Sequence, residues 1–143
     1  MELQIIEHGS DLYQKMVELR TEILRKPLGL VYTEAQLAAE KSDLLLVATE
    51  TDQVIGCCIL TPLENKQIQL RQMAVANNQQ GKGIGAEIVI FAEKTAIEKG
   101  FKTLILHARK HAVGFYQKLG YQAFGDEYEE VGIPHFSMRK ELV

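Results

Sequence analysis

A glycine-rich turn near the middle of the chain reads Gln80-Gly81-Lys82-Gly83-Ile84-Gly85 and lies between a predicted strand and a predicted helix. Glycines let the backbone turn sharply and approach a ligand closely, and the amides of a first helical turn attract an anion. Lys82 adds a positive charge. The turn therefore predicts a phosphate or pyrophosphate held by main-chain donors of residues 81–85. A turn that only redirects the chain is the alternative.

Two other nucleotide-binding loops fit this turn poorly. A Walker loop needs a lysine followed by Ser or Thr, whereas Lys82 is followed by Gly83. A Rossmann fingerprint needs its third glycine at position 88, which is Ile88 in this chain. The kinase-type loop is excluded, and a dinucleotide-binding domain is the weaker interpretation.

The patterns on both sides of the turn predict the element order β-α-α-β-β-β-α-β-α-β-β. The strand before it, residues 67–75, alternates, so that Gln69, Arg71, Met73 and Val75 are expected to share one face. Ser10 or Asp11 caps a first helix, and Thr33 with Gln36 forms a capping box for a second. Pro27 disfavours helical geometry at Lys26, which predicts a loop over residues 26–32.

The composition predicts one globular domain over residues 1–143. Of these residues 46% are apolar, and the formal net charge is only -3, so the low hydrophobicity and high charge of disordered chains are not found. With 16 Lys and Arg against 19 Asp and Glu, no global positive field is available for a polyphosphate backbone. We therefore expect no nucleic acid partner.

The cysteines and the N-terminal residues predict a cytoplasmic location. Cys57 and Cys58 are adjacent within an apolar stretch, where a disulfide between them would be strained. The first residues lack the basic start and long apolar stretch of an export signal, and no apolar run approaches the roughly 20 residues that span a bilayer. We expect no membrane partner, and no metal, because no metal-ligand spacing occurs.

A second motif lies one predicted strand after the turn, where residues 112–121 read Ala-Val-Gly-Phe-Tyr-Gln-Lys-Leu-Gly-Tyr. The two motifs together resemble those of the GNAT superfamily of acyl-coenzyme A-dependent N-acyltransferases. That superfamily has a Gln/Arg-x-x-Gly-x-Gly/Ala loop and a later Ala-x-x-Phe-Tyr-x-Lys-Leu-Gly-Phe/Tyr helix. Ala108-Arg109 and Gly132-Ile133-Pro134-His135 also resemble a branch with a C-terminal Gly-Ile-Pro-His motif.

The resemblance implies a mixed α/β fold: a mostly antiparallel central sheet, one splayed parallel strand pair and flanking helices. The strand ending at Val75 would splay from the strand ending near Leu106, and the pantetheine arm of acetyl-coenzyme A (acetyl-CoA) would enter the gap. Arg109 stands where the commoner pattern has an asparagine that contacts this arm. The implied cofactor-binding residues are Met73, Ala74, Val75, Gln80, Gly81, Lys82, Gly83, Ile84, Gly85, Arg109, Phe115 and Lys118.

The resemblance also implies direct transfer of an acetyl group from acetyl-CoA, the cosubstrate, to an amine. An amide near Val75 would stabilise the developing oxyanion, and Tyr116 would protonate the departing thiolate; a core aromatic is the alternative for Tyr116. His135 follows a proline turn and is the candidate base, with a structural role equally open. His107, expected to end a buried strand, is interpreted as structural.

The acceptor side is less well defined by the sequence. Arg71 and Gln69 are candidates to line the acceptor cleft, with a surface ion pair as the other use of Arg71. The acidic run that contains Glu127, Glu129 and Glu130 either steers a cationic amine or forms a solvated face.

The leading hypothesis is an N-acetyltransferase that acts on a primary amine of a small molecule or peptide. The alternative is an acyl-CoA-binding sensor or regulatory module without turnover. The resemblance to the family implies that a homodimer is plausible, but no stretch of the sequence predicts an interface.

Overall fold

The computed structural model describes residues 1–143, which form seven strands and four α-helices in the predicted order. The strands are β1 (Glu2–Ile6), β2 (Leu44–Glu50), β3 (Gln53–Pro62), β4 (Gln67–Val75), β5 (Thr103–Arg109), β6 (Gln122–Glu130) and β7 (Ile133–Glu141). The helices are α1 (Asp11–Arg20), α2 (Glu34–Ala38), α3 (Ile84–Glu98) and α4 (Val113–Lys118). A π-helical turn, Thr21–Arg25, continues α1, and none of the helices has the length and apolar character to cross a membrane.

The strands form one sheet in the order β1-β2-β3-β4-β5-β7-β6, in which only β4 and β5 are parallel. Their pairing begins at Gln67 with Thr103 and stops at Leu70 with Leu106. Both strands continue beyond that point, β4 along β3 and β5 along β7, so a gap opens between them. The predicted mixed sheet with one splayed parallel pair is confirmed.

Helices pack on both faces of the sheet. On one face α3 and α4 bury Ile88, Val89 and Tyr116 against β2 to β5, and on the other α1 buries Tyr13 and Met16 against β2 and β3. The two cores place α3 and α1 on opposite sides of the gap between β4 and β5.

The helix starts follow the predicted caps. The Ser10 side chain accepts a hydrogen bond from the Tyr13 amide, and Thr33 and Gln36 form the complete capping box. The loop predicted for residues 26–32 is wrong in its first part, because Lys26 has helical dihedral angles and begins a 3-10 turn with Pro27. Proline is tolerated there because a first helical turn has no carbonyl partner for the missing N–H.

A β-bulge interrupts β4 at Gln72, which has a φ of 55°. The pairing of β3 with β4 shifts register between Cys57 and Ile59, opposite this residue. An extra residue in one strand of an antiparallel pair reverses the alternation of faces beyond it. The bulge lies at the point where β4 begins to diverge from β5.

Because of the bulge, the prediction that Gln69, Arg71, Met73 and Val75 share one face of β4 is wrong. Leu70 lies in the core under α3, and beyond the bulge Met73 and Val75 pack against that same core, while Ala74 turns to the α1 side. Arg71, before the bulge, therefore does not share a face with Met73 and Val75. Strict alternation from the sequence could not anticipate this reversal.

Candidate active site

A cleft of about 890 Å³ opens where β4 and β5 diverge, within the usual size range of small-molecule sites. It runs from the start of α3 to the π-helical turn after α1 and the beginning of β7. Twelve of the predicted site residues line it: residues 73–75, 80, 81, 83–85, 109, 115, 116 and 135. The other two, Lys82 and Lys118, are exposed and lie outside its lining.

The glycine-rich turn forms the mouth of this cleft on the α3 side. Gly81 and Gly83 have φ values of 83° and 81°, which a side chain would strain. The amides of residues 81–86 donate to no backbone carbonyl, as expected at the start of a helix. These amides and the dipole of the 15-residue α3 suit the mouth to an anion.

Gln80 holds the turn against the end of β4. Its side-chain amide donates to the Val75 carbonyl at 3.1 Å and to the Asn77 side-chain oxygen at 3.3 Å. Gln80 thus fixes the position of the amides that follow it.

Gly85 permits a close approach between α3 and α4. A Cβ atom added there would lie 3.3 Å from Cζ of Phe115 and 3.7 Å from Cγ2 of Val75. A larger side chain at this position would enter the cleft, because all three residues line it.

Tyr116 lies on α4 with its ring packed edge-on against Phe115 and Tyr121. The residue is 6% exposed, yet its hydroxyl makes no hydrogen bond within the protein and is not fully buried, so it faces the cleft. Burial is the main cause that raises the pKa of the Tyr116 phenol. Tyr116 therefore keeps its proton at neutral pH and is available as a donor.

His135 is oriented by the main chain of its own turn. Its Nδ1 lies 2.8 Å from the Ile133 carbonyl oxygen, and because a carbonyl can only accept, Nδ1 must carry the proton. In the neutral ring Nε2 is then the unprotonated nitrogen, 3.7 Å from a carboxylate oxygen of Glu130. A proton acceptor and a nearby carboxylate therefore meet in the cleft.

His107 and Arg109 differ from their predicted settings. β5 extends to Arg109, so the interpretation of His107 as the end of a buried strand is wrong; its exposed ring lines the cleft and bonds to Ser137 at 3.1 Å. Arg109 pairs with His135 across β5 and β7. Because Ala108 faces the α3 core, Arg109 and His107 point to the opposite face, where α1 lies.

Only some of the candidate acceptor residues line the cleft. Arg71 lines the cleft but donates to Thr61 at 3.2 Å and lies 3.7 Å from Asp43, so its charge already has partners. Gln69 is outside the lining, whereas Glu130 is part of it. Glu127 instead forms an exposed pair with Lys110.

The sequence does not reveal that the π-helical turn Thr21–Arg25 lines the cleft on the α1 side, which is called the acceptor end below. Arg25 in the π-helical turn lines the cleft, and its guanidinium lies 4.5 Å from the centroid of the Tyr32 ring. The Tyr32 hydroxyl donates to the side-chain oxygen of Gln72 at 2.6 Å. These contacts link residues up to 40 positions apart, and no local pattern signals them.

Residues 25–142 match the family model described as the acetyltransferase (GNAT) domain. The chain belongs to the GNAT acetyltransferase family. The uncharacterized protein YyaT of Bacillus subtilis is 40% identical over 74 residues, 52% of this chain and 50% of that protein. The chain therefore spans about half the length of this curated relative.

Solved structures share the GNAT fold over nearly the whole chain. Escherichia coli ElaA has a TM-score of 0.85 at 19% identity, covering 98% of this chain and 99% of that one. A GNAT acetyltransferase of Elizabethkingia anophelis with acetyl-CoA bound has a TM-score of 0.75 at 20% identity, covering 98% and 97%. At such identities the likeness shows the fold alone.

The cleft of this GNAT chain has groups that suit two parts of a coenzyme A molecule. The amides of residues 81–86 suit a pyrophosphate, and the edge of β4 from Arg71 to Val75 has no β5 partner, which suits an extended amide-bearing arm. The residues present therefore fit the cosubstrate.

Proposed function

We propose that the chain is an N-acetyltransferase that moves an acetyl group from acetyl-CoA to a primary amine of a small molecule or peptide. One observation carries this proposal: the glycine turn with its free amides, Tyr116 and His135 all line a single cleft. An anion site, a proton donor and a proton acceptor are the groups that this transfer needs.

The cosubstrate would be held by main-chain groups. Residues 81–85 would bind its pyrophosphate, and Met73, Ala74 and Val75 would bind its pantetheine arm along the unpaired edge of β4. Lys82, Lys118 and Arg109 remain proposed contacts; the two lysines are exposed and long enough to fold toward an anion. Phe115 would pack against the arm beside Gly85.

Acetyl-CoA would supply the acetyl group as a thioester, whose C–S bond breaks as the new N–C bond forms. Tyr116 would donate its proton to the departing sulfur, since burial keeps the phenol protonated. An amide of Met73 to Val75 would stabilise negative charge on the carbonyl oxygen. The positive charge of the attacking amine is relieved by loss of a proton.

His135 would accept that proton at Nε2, directly or through one water molecule. Its Nδ1–H bond to the Ile133 carbonyl keeps Nε2 available, and Glu130 stabilises the imidazolium that forms. Gly132 to His135 is also the segment that resembles the Gly-Ile-Pro-His branch, so this role is part of the same proposal.

The buried free thiols of Cys57 and Cys58 support a reducing compartment such as the cytoplasm.

Calorimetric titration with acetyl-CoA tests the cosubstrate site. Gly85→Leu should abolish binding, because its side chain would fill the cleft beside Phe115 and Val75. Gly114→Leu is the matched control, since Gly114 lies in α4 with nothing within 4 Å of its added Cβ. Equal affinities for Gly85→Leu, Gly114→Leu and the wild type would refute the assigned site.

Turnover separates the enzyme from a sensor of acyl-CoA. Release of the coenzyme A thiol is followed with a panel of amines, and Tyr116→Phe should lower kcat by about 100-fold or more while leaving acetyl-CoA binding unchanged. Binding without amine-dependent thiol release would favour the sensor. Unchanged kcat in Tyr116→Phe would overturn the role of Tyr116.

A further inference from the structure

Arg25 is a cation of the cleft without an ion-pair or hydrogen-bond partner in the protein. It lines the acceptor end, is half-buried, and forms neither an ion pair nor a side-chain hydrogen bond. The neighbouring charges are already matched: Arg20 by Glu40, Arg71 by Asp43, and Lys26 by Glu22. The guanidinium donors of Arg25 are left for a ligand.

Tyr32 holds this guanidinium in place. Arg20 and Arg25 lie on the Tyr32 ring, each 4.5 Å from its centroid, and the Tyr32 hydroxyl is fixed by its 2.6 Å bond to Gln72. The backbone is held as well, because the Leu30 amide donates to the Arg25 carbonyl at 2.9 Å. A guanidinium stacked on a ring loses little further freedom when it binds an oxyanion with two parallel hydrogen bonds.

The position of Arg25 separates it from the phosphate site. Arg25 follows α1, on the face of the sheet opposite α3, whereas the glycine turn lies at the start of α3. By strand alternation His135 also lies on the α1 face, because Met138 on the same strand faces the α3 core. Arg25 and the candidate base are therefore on the same side of the gap, where the acceptor would enter.

We propose that Arg25 binds an oxyanion of the acceptor, so that the substrate is an amine that also bears a carboxylate or phosphate group. This inference rests on the proposed function and names its substrate class. The guanidinium would bind the anionic end, while Glu130 and His135 would face the amine. Polyamines and other purely cationic amines would be poor acceptors, because they leave Arg25 without a counter-charge and are repelled by it.

Matched pairs of amines test the proposal. 4-Aminobutyrate is compared with 4-aminobutanamide, β-alanine with β-alaninamide, and phosphoethanolamine with ethanolamine, by thiol release and by calorimetric binding to the protein with coenzyme A. We expect the anionic member of at least one pair to be preferred by about 10- to 100-fold in kcat/KM or affinity. The first two pairs distinguish a carboxylate from the phosphate of the third.

Variants show whether Arg25 carries that preference. Arg25→Gln should reduce it to about unity and leave acetyl-CoA binding unchanged, whereas Lys26→Gln, which alters the neighbouring exposed cation, should keep it. Tyr32→Phe retains the ring but loses the bond to Gln72, and should keep most of the preference; Tyr32→Leu removes the stacking surface and should weaken the preference further.

Three results would overturn the proposal: no preference for the anion in any pair, a preference unchanged in Arg25→Gln, or a preference lost instead in Arg109→Gln. Failure of the proposed function is recognised separately, because it would abolish acetyl-CoA binding or turnover in the wild type. Arg25-dependent binding of the anionic amines would still be measured by calorimetry in that case.

Discussion

The buried ion pair between Arg20 and Glu40 supports the acceptor end of the cleft, and Glu40→Gln should break it. Arg20 donates to the two carboxylate oxygens at 2.9 and 2.7 Å, and Tyr13 adds a third bond at 2.7 Å. Arg20 is 0% exposed and Glu40 3% exposed. A glutamine leaves the guanidinium buried without a counter-charge and presents it with a donor in place of one acceptor.

Removal of one partner of such a pair costs about 3–5 kcal/mol of unfolding free energy. With an unfolding entropy of roughly 2 cal/mol/K per residue, the chain should lose about 10–17 °C in Tm. Differential scanning calorimetry and urea unfolding at pH 7 measure both quantities. The double variant Arg20→Met, Glu40→Leu should recover most of the loss, since it leaves no unpaired charge.

The pH dependence gives a second test of the same pair. Burial alone would raise the pKa of Glu40, but the hydrogen bonds from Arg20 and Tyr13 outweigh it and leave the pKa below its usual value of 4.5. A depressed pKa stabilises the fold above about pH 4.5, and this contribution is lost as the pH falls through the lower folded value. The difference in unfolding free energy between the wild type and Glu40→Gln should therefore decrease below about pH 4.5. A difference in unfolding free energy under about 1 kcal/mol at pH 7, or a difference that stays constant down to pH 3, would refute this account.

Three further predictions concern the cleft and the sheet beneath it. Because burial raises the pKa of Tyr116, kcat should show no falling limb from loss of its proton between pH 7 and about pH 10, and a limb that disappears in Tyr116→Phe would contradict this. Gly56→Ala should lower the unfolding free energy by about 1–3 kcal/mol in urea titrations, because its Cβ would lie 2.5 Å from Cδ1 of Ile88; an unchanged urea midpoint would be contrary evidence. His135→Gln should lower kcat/KM at pH 7 by about 100-fold and leave acetyl-CoA affinity intact, and activity that survives this change would assign the base elsewhere.

Local sequence patterns predicted much of the fold. The cap at Ser10, the capping box of Thr33 and Gln36, and the order of strands and helices all depend on residues a few positions apart. The same is true of the glycine turn, since positive φ at Gly81 and Gly83 and the amides of a helix start are properties of adjacent residues. The loop placed at Lys26 was wrong because a 3-10 turn accepts proline at its start.

The site itself was predictable only in part. Tyr116 and His135 were candidates from their motifs, but the sequence could not show that both residues line one cleft. The predicted face of β4 failed because strict alternation assumes an unbroken ladder, and the bulge at Gln72 depends on the register with β3. The extended β5 changed the setting of His107 for a similar reason, its pairing with β7.

By itself the sequence determined the elements, the glycine-rich turn and the family motifs, because each depends on residues within one helix, strand or turn. Only the tertiary structure decided that β4 and β5 stop pairing at Leu70 and Leu106, and that Arg25 stacks on Tyr32 over the acceptor end. These features result from contacts between distant segments, whose geometry is set by the packing of the whole sheet between α1 and α3.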